Sequence, residues 1–283
     1  MRKFIALLAL LLASTFIFTA CNPIEGSKGD VSPGETASIG EGDANTTNTA
    51  YQIYEEISKV MGGGSSLDMD MEMEITSSSD PTQAIKMSGK MLQVIRSETD
   101  MDMFMDMNVE IMGQQIENKS YFKDGYSYTE TSGQKMKMKM DLDEYLKQNG
   151  NEFLHFEKEA VKNANITENE DGKVLSFVLD GEKLNELLSD SFGALGEISG
   201  AIGDTDVNFD NINMEFGVDN NNTLKYYNMV MTMATEAESG NQEITVTMKS
   251  TINKIGDVTI DFPEDLDDYQ DVDLGDLGLD GLE

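Results

Sequence analysis

The sequence predicts an α+β fold in which a large curved antiparallel sheet of about 10 to 11 strands carries helices on its inner side. Three observations lead there. Leu67, Met69, Met71, Met73 and Ile75 alternate with Asp68, Asp70, Glu72 and Glu74, and only a strand with one dry and one wet face satisfies that period of two. The connections are short and carry turn residues, among them Asp80-Pro81, Lys123-Asp124-Gly125 and Ser132-Gly133, so neighbouring strands run antiparallel. Helical spacing interrupts the strands in two places.

The first 20 residues stand apart from this fold. Arg2 and Lys3 precede an apolar run that ends in the small pair Thr19-Ala20, the layout of an export signal. Phe18-Thr19-Ala20-Cys21 resembles the bacterial lipobox, with Phe18 where Leu is usual. The resemblance implies cleavage before Cys21 and a lipid on its sulfur. Cys21 is the only cysteine, so an acylated chain has no thiol left for a disulfide, a nucleophile or a metal. The expectation is an exported protein anchored to the outer face of the cell membrane.

Loss of Arg2 and Lys3 with the signal leaves 18 cationic side chains against 53 acidic ones, a net charge of −35. Such a field repels nucleic acid, whose binding rests on cationic contacts to phosphates. Self-repulsion also favours a soluble monomer. Residues 21–48 read as an anchor and flexible tether, because Gly, Ser, Asp, Glu, Asn and Thr dominate them. A single domain is expected over residues 49–263.

That domain opens on a helix over residues 50–61, capped by Thr47-Asn48-Thr49 and ended by Gly62-Gly63-Gly64. Strands follow at Leu67–Ile75, 85–95, 101–111, 116–122 and 126–129, and a further alternation runs through Met136, Met138, Met140 and Leu142 with lysines between. Residues 143–164 read as helical. Asp171-Gly172 joins a short strand to the buried run of 173–180, and a second helix is expected over 182–195. The last third is again a meander, at 207–218, 224–235, 243–252 and 258–262, with a turn at Asp219-Asn220-Asn221-Asn222. Beyond Pro263, residues 264–283 hold nine acids and are expected to remain a solvated tail.

This order of elements resembles the half-barrel lipoprotein-carrier superfamily, which includes the periplasmic chaperone LolA and mycobacterial lipid-handling lipoproteins of the LppX and LprG type. Closer still, it resembles uncharacterised lipoproteins of Gram-positive bacteria. The residues that carry the likeness are Cys21, the helix from Tyr51 to Met61, the strands from Leu67, the segment from Lys173 to Leu188 and the ending Gly256-Asp257-Val258-Thr259-Ile260-Asp261-Phe262-Pro263. The resemblance implies a cavity between an incompletely closed barrel and its helices, able to hold acyl chains.

Twenty methionines are a surplus on strands, where branched side chains fit better. Met69, Met71, Met73, Met101, Met103, Met105, Met107, Met136, Met138, Met140, Met229, Met231 and Met233 fall on alternate positions. One explanation is a core that uses Met as filler; another is a wall that adapts to flexible apolar cargo. A third is Cu(I), for which thioethers are soft ligands. Against it, residues two apart on one strand are separated by roughly 6.6 Å at about 3.3 Å per residue, too far for their sulfurs to share one ion without help from a neighbouring strand.

No Gly-x-Ser-x-Gly, phosphate loop or zinc signature occurs, and no cofactor is implied. His155 is the single histidine. Asp219-Asn220-Asn221-Asn222 lacks the Gly and Glu of a calcium loop. The acids of the first strand are opposite in sign to Lys135, Lys137 and Lys139, and if the two strands are brought together, cross-strand pairing is their expected use. The functional expectation is binding or carriage of a lipid or other amphiphile, with a structural or interaction lipoprotein as the rival.

Overall fold

The computed structural model describes residues 44–59, 65–78, 84–97, 100–111, 113–140, 142, 156–184, 207–237 and 240–272. Expectations for the signal, Cys21, most of the tether, most of both later helices and the end of the tail fall outside these residues.

Among the described residues, twelve strands form one open, curved sheet in the order β12-β6-β5-β4-β3-β2-β1-β11-β10-β9-β8-β7. The strands are β1 Leu67–Ser77, β2 Ile85–Ser97, β3 Asp100–Ile111, β4 Gln114–Lys123, β5 Tyr126–Thr131, β6 Gln134–Lys139, β7 Val161–Asn169, β8 Gly172–Leu179, β9 Val207–Asp219, β10 Leu224–Ala237, β11 Gly240–Ile255 and β12 Gln270–Asp271. The order is two meanders joined at one seam. β1 to β6 run one way, β11 back to β7 the other, and antiparallel β1 and β11 meet between them.

Turn chemistry sets the first meander. Asp124-Gly125 and Ser132-Gly133 each place two residues at positive φ, 52° and 75°, then 51° and 78°, and this two-residue geometry matches the twist of the strands it joins. At the β9–β10 turn, Asp219 Oδ1 accepts from the backbone N–H groups of Asn221 at 2.8 Å and Thr223 at 3.0 Å. Its Oδ2 lies 2.9 Å from Lys225 Nζ. The Asp219 carboxyl is held down to about 2, the hydrogen bond from Lys225 being the largest cause and that from the Thr223 backbone the next.

One helix, α1 Ala44–Lys59, packs on β7 and β8. It begins earlier than expected, so residues 44–48 are helix rather than tether. The supposed caps lie inside it, and the Thr49 hydroxyl bonds back to the Asn45 carbonyl at 3.0 Å instead. Tyr51, Ile53, Tyr54 and Ile57 form its buried stripe.

Three further expectations are corrected. Residues 161–164, expected as the end of a helix, open the edge strand β7, which lengthens the short strand expected before Asp171; its pairing to β8 outweighs the weak helical spacing around it. Residues 258–262 lie outside the sheet. The packed part of the chain also continues past Pro263. Leu266–Asp268 makes a 3-10 turn, β12 pairs parallel with β6, and Leu266 and Tyr269 are buried.

That last segment is a strap across the outer face. Leu266 and Tyr269 pack with Tyr121, against which Phe104, Tyr128 and Phe262 also lie. Lys135 meets Asp265 at 2.5 Å and Glu130 at 3.9 Å, and Lys137 meets Asp271 at 3.8 Å. The expected pairing of these lysines with the acids of β1 therefore fails, because β6 and β1 are four strands apart. Those acids use β2 instead: Lys90 lies 3.1 Å from Asp68, and Lys86 3.5 Å from Glu74.

A solvated tail can be cut without loss, whereas a strap cannot. Tyr269→Ala should lower unfolding free energy by about 3 kcal/mol, the scale of an aromatic truncation in a core, read from urea unfolding. The Asp219 carboxyl, with its folded value below the unfolded one, stabilises the fold above about pH 4 and loses that effect as pH falls through about 2. The gap in urea midpoint between the parent chain and Asp219→Asn should close as pH drops from 5 to 2.

Candidate functional site

The pleat sends alternate side chains of each strand to the inner face. On β1 these are Leu67, Met69, Met71 and Met73; on β3 they are Met101, Met103, Met105 and Met107. Met69, Met71, Met101, Met103, Met105 and Met107 are buried, as are Met140, Met229, Met231 and Met233. Met73, Met136 and Met138 are half-buried. None of the thirteen methionines singled out from the sequence faces open water. Cys21 lies outside the described residues.

Strand register then gathers these side chains into rows. Met87 of β2 pairs with Met73 of β1, Met73 with Met248 of β11, Met248 with Met229 of β10, and Met229 with Met214 of β9. Five methionines thus stand side by side on five adjacent strands. Phe177 of β8 continues the row. A second row runs Met105, Met91, Met69. Directly opposed side chains on one face have Cβ atoms about 4.5–5.5 Å apart, so the thioethers of each row are in contact range.

Met87, Met91, Met214 and Met248 were not among the sequence candidates, yet they complete both rows. Each is a lone Met in its strand or separated from the next by more than one residue, so a search for Met-x-Met repeats passes over it. Their parity with Ile85, Ile212 and Val246 was the available signal. Met136 and Met138, by contrast, lie on β6 and are separated from β3 by β4 and β5.

A glycine shapes the wall locally. Gly89 of β2 lies opposite Met107, and a Cβ built on it would sit 2.4 Å from Met107 Sδ and 2.3 Å from the Asp106 carbonyl oxygen. The Met107 thioether therefore covers the place where a β2 side chain would stand. Gln93, buried on the same face, donates from Nε2 to Met101 Sδ at 3.1 Å.

Aromatic side chains fix α1 at the β8 end of this face. Tyr54 stacks on Phe156 with centroids 3.9 Å apart and meets Phe177 and Phe216 at 5.8 and 5.4 Å. The Phe156 N–H donates to Tyr54 Oη at 3.0 Å, and Tyr51 Oη donates to the Phe156 carbonyl at 3.2 Å. Burial is the main cause that pushes the Tyr54 hydroxyl well above its ordinary value, so it stays neutral at any working pH.

Towards β4 and β5 the inner face turns polar without charge. Asn118 and Ser120 of β4 lie opposite Met107 and Met105, and opposite Thr131 and Thr129 of β5. The Thr131 hydroxyl donates to Asn118 Oδ1. Among the described residues, no three His, Cys, Asp or Glu side chains form a metal-holding group. None of the described helices is long and apolar enough to cross a membrane.

Residues 49–270 match the family of unknown function DUF6612. The chain belongs to that family. The DUF6612 match spans the sheet from β1 into β12 and includes the strap. No curated protein matches the chain. Among solved structures it is similar to LprF from Mycobacterium bovis, at 14% identity over 76% of this chain and 97% of that one, with a TM-score of 0.39. It is also similar to a LolA superfamily protein from Nitrosomonas europaea, at 8% identity over 77% and 96% of the two chains with a TM-score of 0.25. A third is a putative outer membrane lipoprotein-sorting protein domain from Vibrio parahaemolyticus, at 10% identity over 78% and 97%, with a TM-score of 0.21.

The aromatic clamp yields a direct test. Tyr54→Phe leaves the Phe156 N–H without that acceptor and should cost about 1 kcal/mol. Tyr54→Ala should cost about 3 to 5 kcal/mol. Both are read from urea unfolding.

Proposed function

We propose that this DUF6612 protein is a cell-surface lipoprotein that binds or carries a lipid or other amphiphile on its methionine-lined inner face. The observation that carries the reading is the row Met87, Met73, Met248, Met229 and Met214 across five strands. Branched side chains would suit those strand positions better as permanent filling. A row of unbranched thioethers, each with three rotatable bonds, suits a wall whose contents vary in shape. Acylation of Cys21 would hold the domain at the outer face of the membrane as a monomer, with the acidic coat keeping it from other anionic surfaces. No step of catalysis is part of the reading.

The chain from Asn22 onward keeps every described residue and lacks the anchor. Native mass spectrometry of that protein, with organic extraction, should reveal a co-purified amphiphile or uptake of a fluorescent fatty acid. A uniform unliganded mass with no uptake overturns carriage and leaves a tethered domain with a packed core.

Soft-metal binding is the second reading, and one observation favours it. Met73 is flanked on both sides by methionines of neighbouring strands, which removes the distance objection that holds along a single strand. Cu(I) uptake abolished by Met73→Leu with Met248→Leu would support it. Amphiphile uptake should survive that same pair of substitutions within a few-fold, because Leu conserves volume and polarity.

A further inference from the structure

The polar stretch of the inner face holds a buried hydrogen-bonding group that the described residues do not use. Asn118 is 3% exposed, and its neighbours Ser120 and Thr131 are 5% and 6% exposed. Asn118 Oδ1 is occupied by the Thr131 hydroxyl. The Nδ2 end, with two N–H donors, is buried and has no hydrogen-bond partner among the described residues. Buried side-chain donors are almost always satisfied in native proteins, so an orphan of this kind calls for a partner beyond the described residues, and a bound ligand is one.

Register shows which way it faces. Asn118 lies directly opposite Met107, and opposed residues share one face of a sheet. The amide therefore stands beside the thioether wall, on the side proposed above to hold cargo.

We infer that Asn118 is the head-group subsite of that face, where its amide donates to an uncharged oxygen, an ester carbonyl or a hydroxyl, of an amphiphile whose chain lies along the methionine rows. This rests on the carriage reading and adds the class of head group. Charge decides the class. The lysines of β4 to β6, Lys119, Lys123, Lys135, Lys137 and Lys139, fall at the opposite parity. Lys119 turns to Asp106 at 3.7 Å, Lys123 covers the Phe262 ring, and Lys135 and Lys137 hold the strap. The inner positions Asn118, Ser120, Thr129 and Thr131 carry no charge. A carboxylate or phosphate buried there would lack a counter-ion among the described residues, at a heavy desolvation cost. A neutral acylglycerol head meets no such cost.

Monolaurin and laurate share a chain length and differ in head-group charge. With the chain from Asn22 onward at pH 8, isothermal titration should give monolaurin at least about a tenfold advantage over laurate. Asn118→Leu should lower monolaurin affinity by about tenfold, the scale of a lost buried hydrogen bond, and leave laurate unchanged. In the parent protein, the Asn118 side-chain amide resonance should move on saturation with monolaurin. Equal binding by parent and variant, or an amide resonance that does not move, overturns the subsite while carriage stands; the amide then meets only water. Failure of the parent protein to bind either probe overturns carriage and the subsite together. Should Asn118→Leu fail to fold, the resonance in the parent protein decides.

Discussion

Everything on the inner face depends on the pairing of β1 with β11. Each meander can assemble from neighbours in sequence through short turns. The seam cannot, because it joins strands from opposite ends of the domain and must offset the entropy of closing the chain between them. Eleven residues of β1 pair with β11, from Leu67 opposite Ile255 to Ser77 opposite Ile244, with a single irregularity between Asp68 and Met69. A slip of one residue would turn Met69, Met71 and Met73 outward and bring Asp70 and Glu72 into the core. The burial of charge makes that register costly, so the alternation that identifies the strand also selects its partner's alignment. The same seam places Met73 against Met248, and without it the longest methionine row would be two unconnected pieces.

How much of this was legible from the residues follows from which surfaces are half-buried. β1 and β3 alternate apolar and charged residues because one side of each faces the core and the other water, and both were readable. The hairpin of β7 with β8 was readable from Asp171-Gly172, but the start of β7 was not. It is an edge strand in which only Ala164 is buried among Val161–Asn169, so the period of two is diluted by exposure. The strap was missed for a related reason: it buries just Leu266 and Tyr269 against the outer face, and its acids read as solvated until Lys135 and Lys137 are placed opposite them. The methionine rows were half legible. The parity of Met69, Met103 and Met229 can be read along each strand, but the neighbours of Met73 are a property of register, which no single strand records. Asn118 gave no signal at all, since a lone Asn in a polar strand gains meaning only from the Met107 and Thr131 beside it.

The fold uses different chemistry for contacts that must stay and contacts that can change. Where α1 meets the sheet, and where the strap meets the outer face, the contacts are aromatic. Tyr54 with Phe156 and Phe177, and Tyr128 with Tyr269 at 5.6 Å, are rigid plates with preferred angles and few rotatable bonds. Such packing has one good solution. Methionine has many, because its thioether is polarizable and its chain bends at three bonds. The Gly89 position illustrates the point: the Met107 side chain lies across a neighbouring strand to occupy a space that a branched residue of β3 would not reach.

A wall built only of adaptable groups would hold apolar matter without orienting it. Orientation needs a polar group at a defined place, and a polar group buried for that purpose must tolerate being unsatisfied whenever the site is empty. An amide does so at lower cost than a charge, and the oxygen end of the Asn118 amide already accepts from the Thr131 hydroxyl in the sheet itself. The fixed half positions the free half. Set between the methionines of β3 and the hydroxyls of β5, it gives the inner face an apolar expanse and one polar margin, which is the asymmetry of an amphiphile written into a sheet.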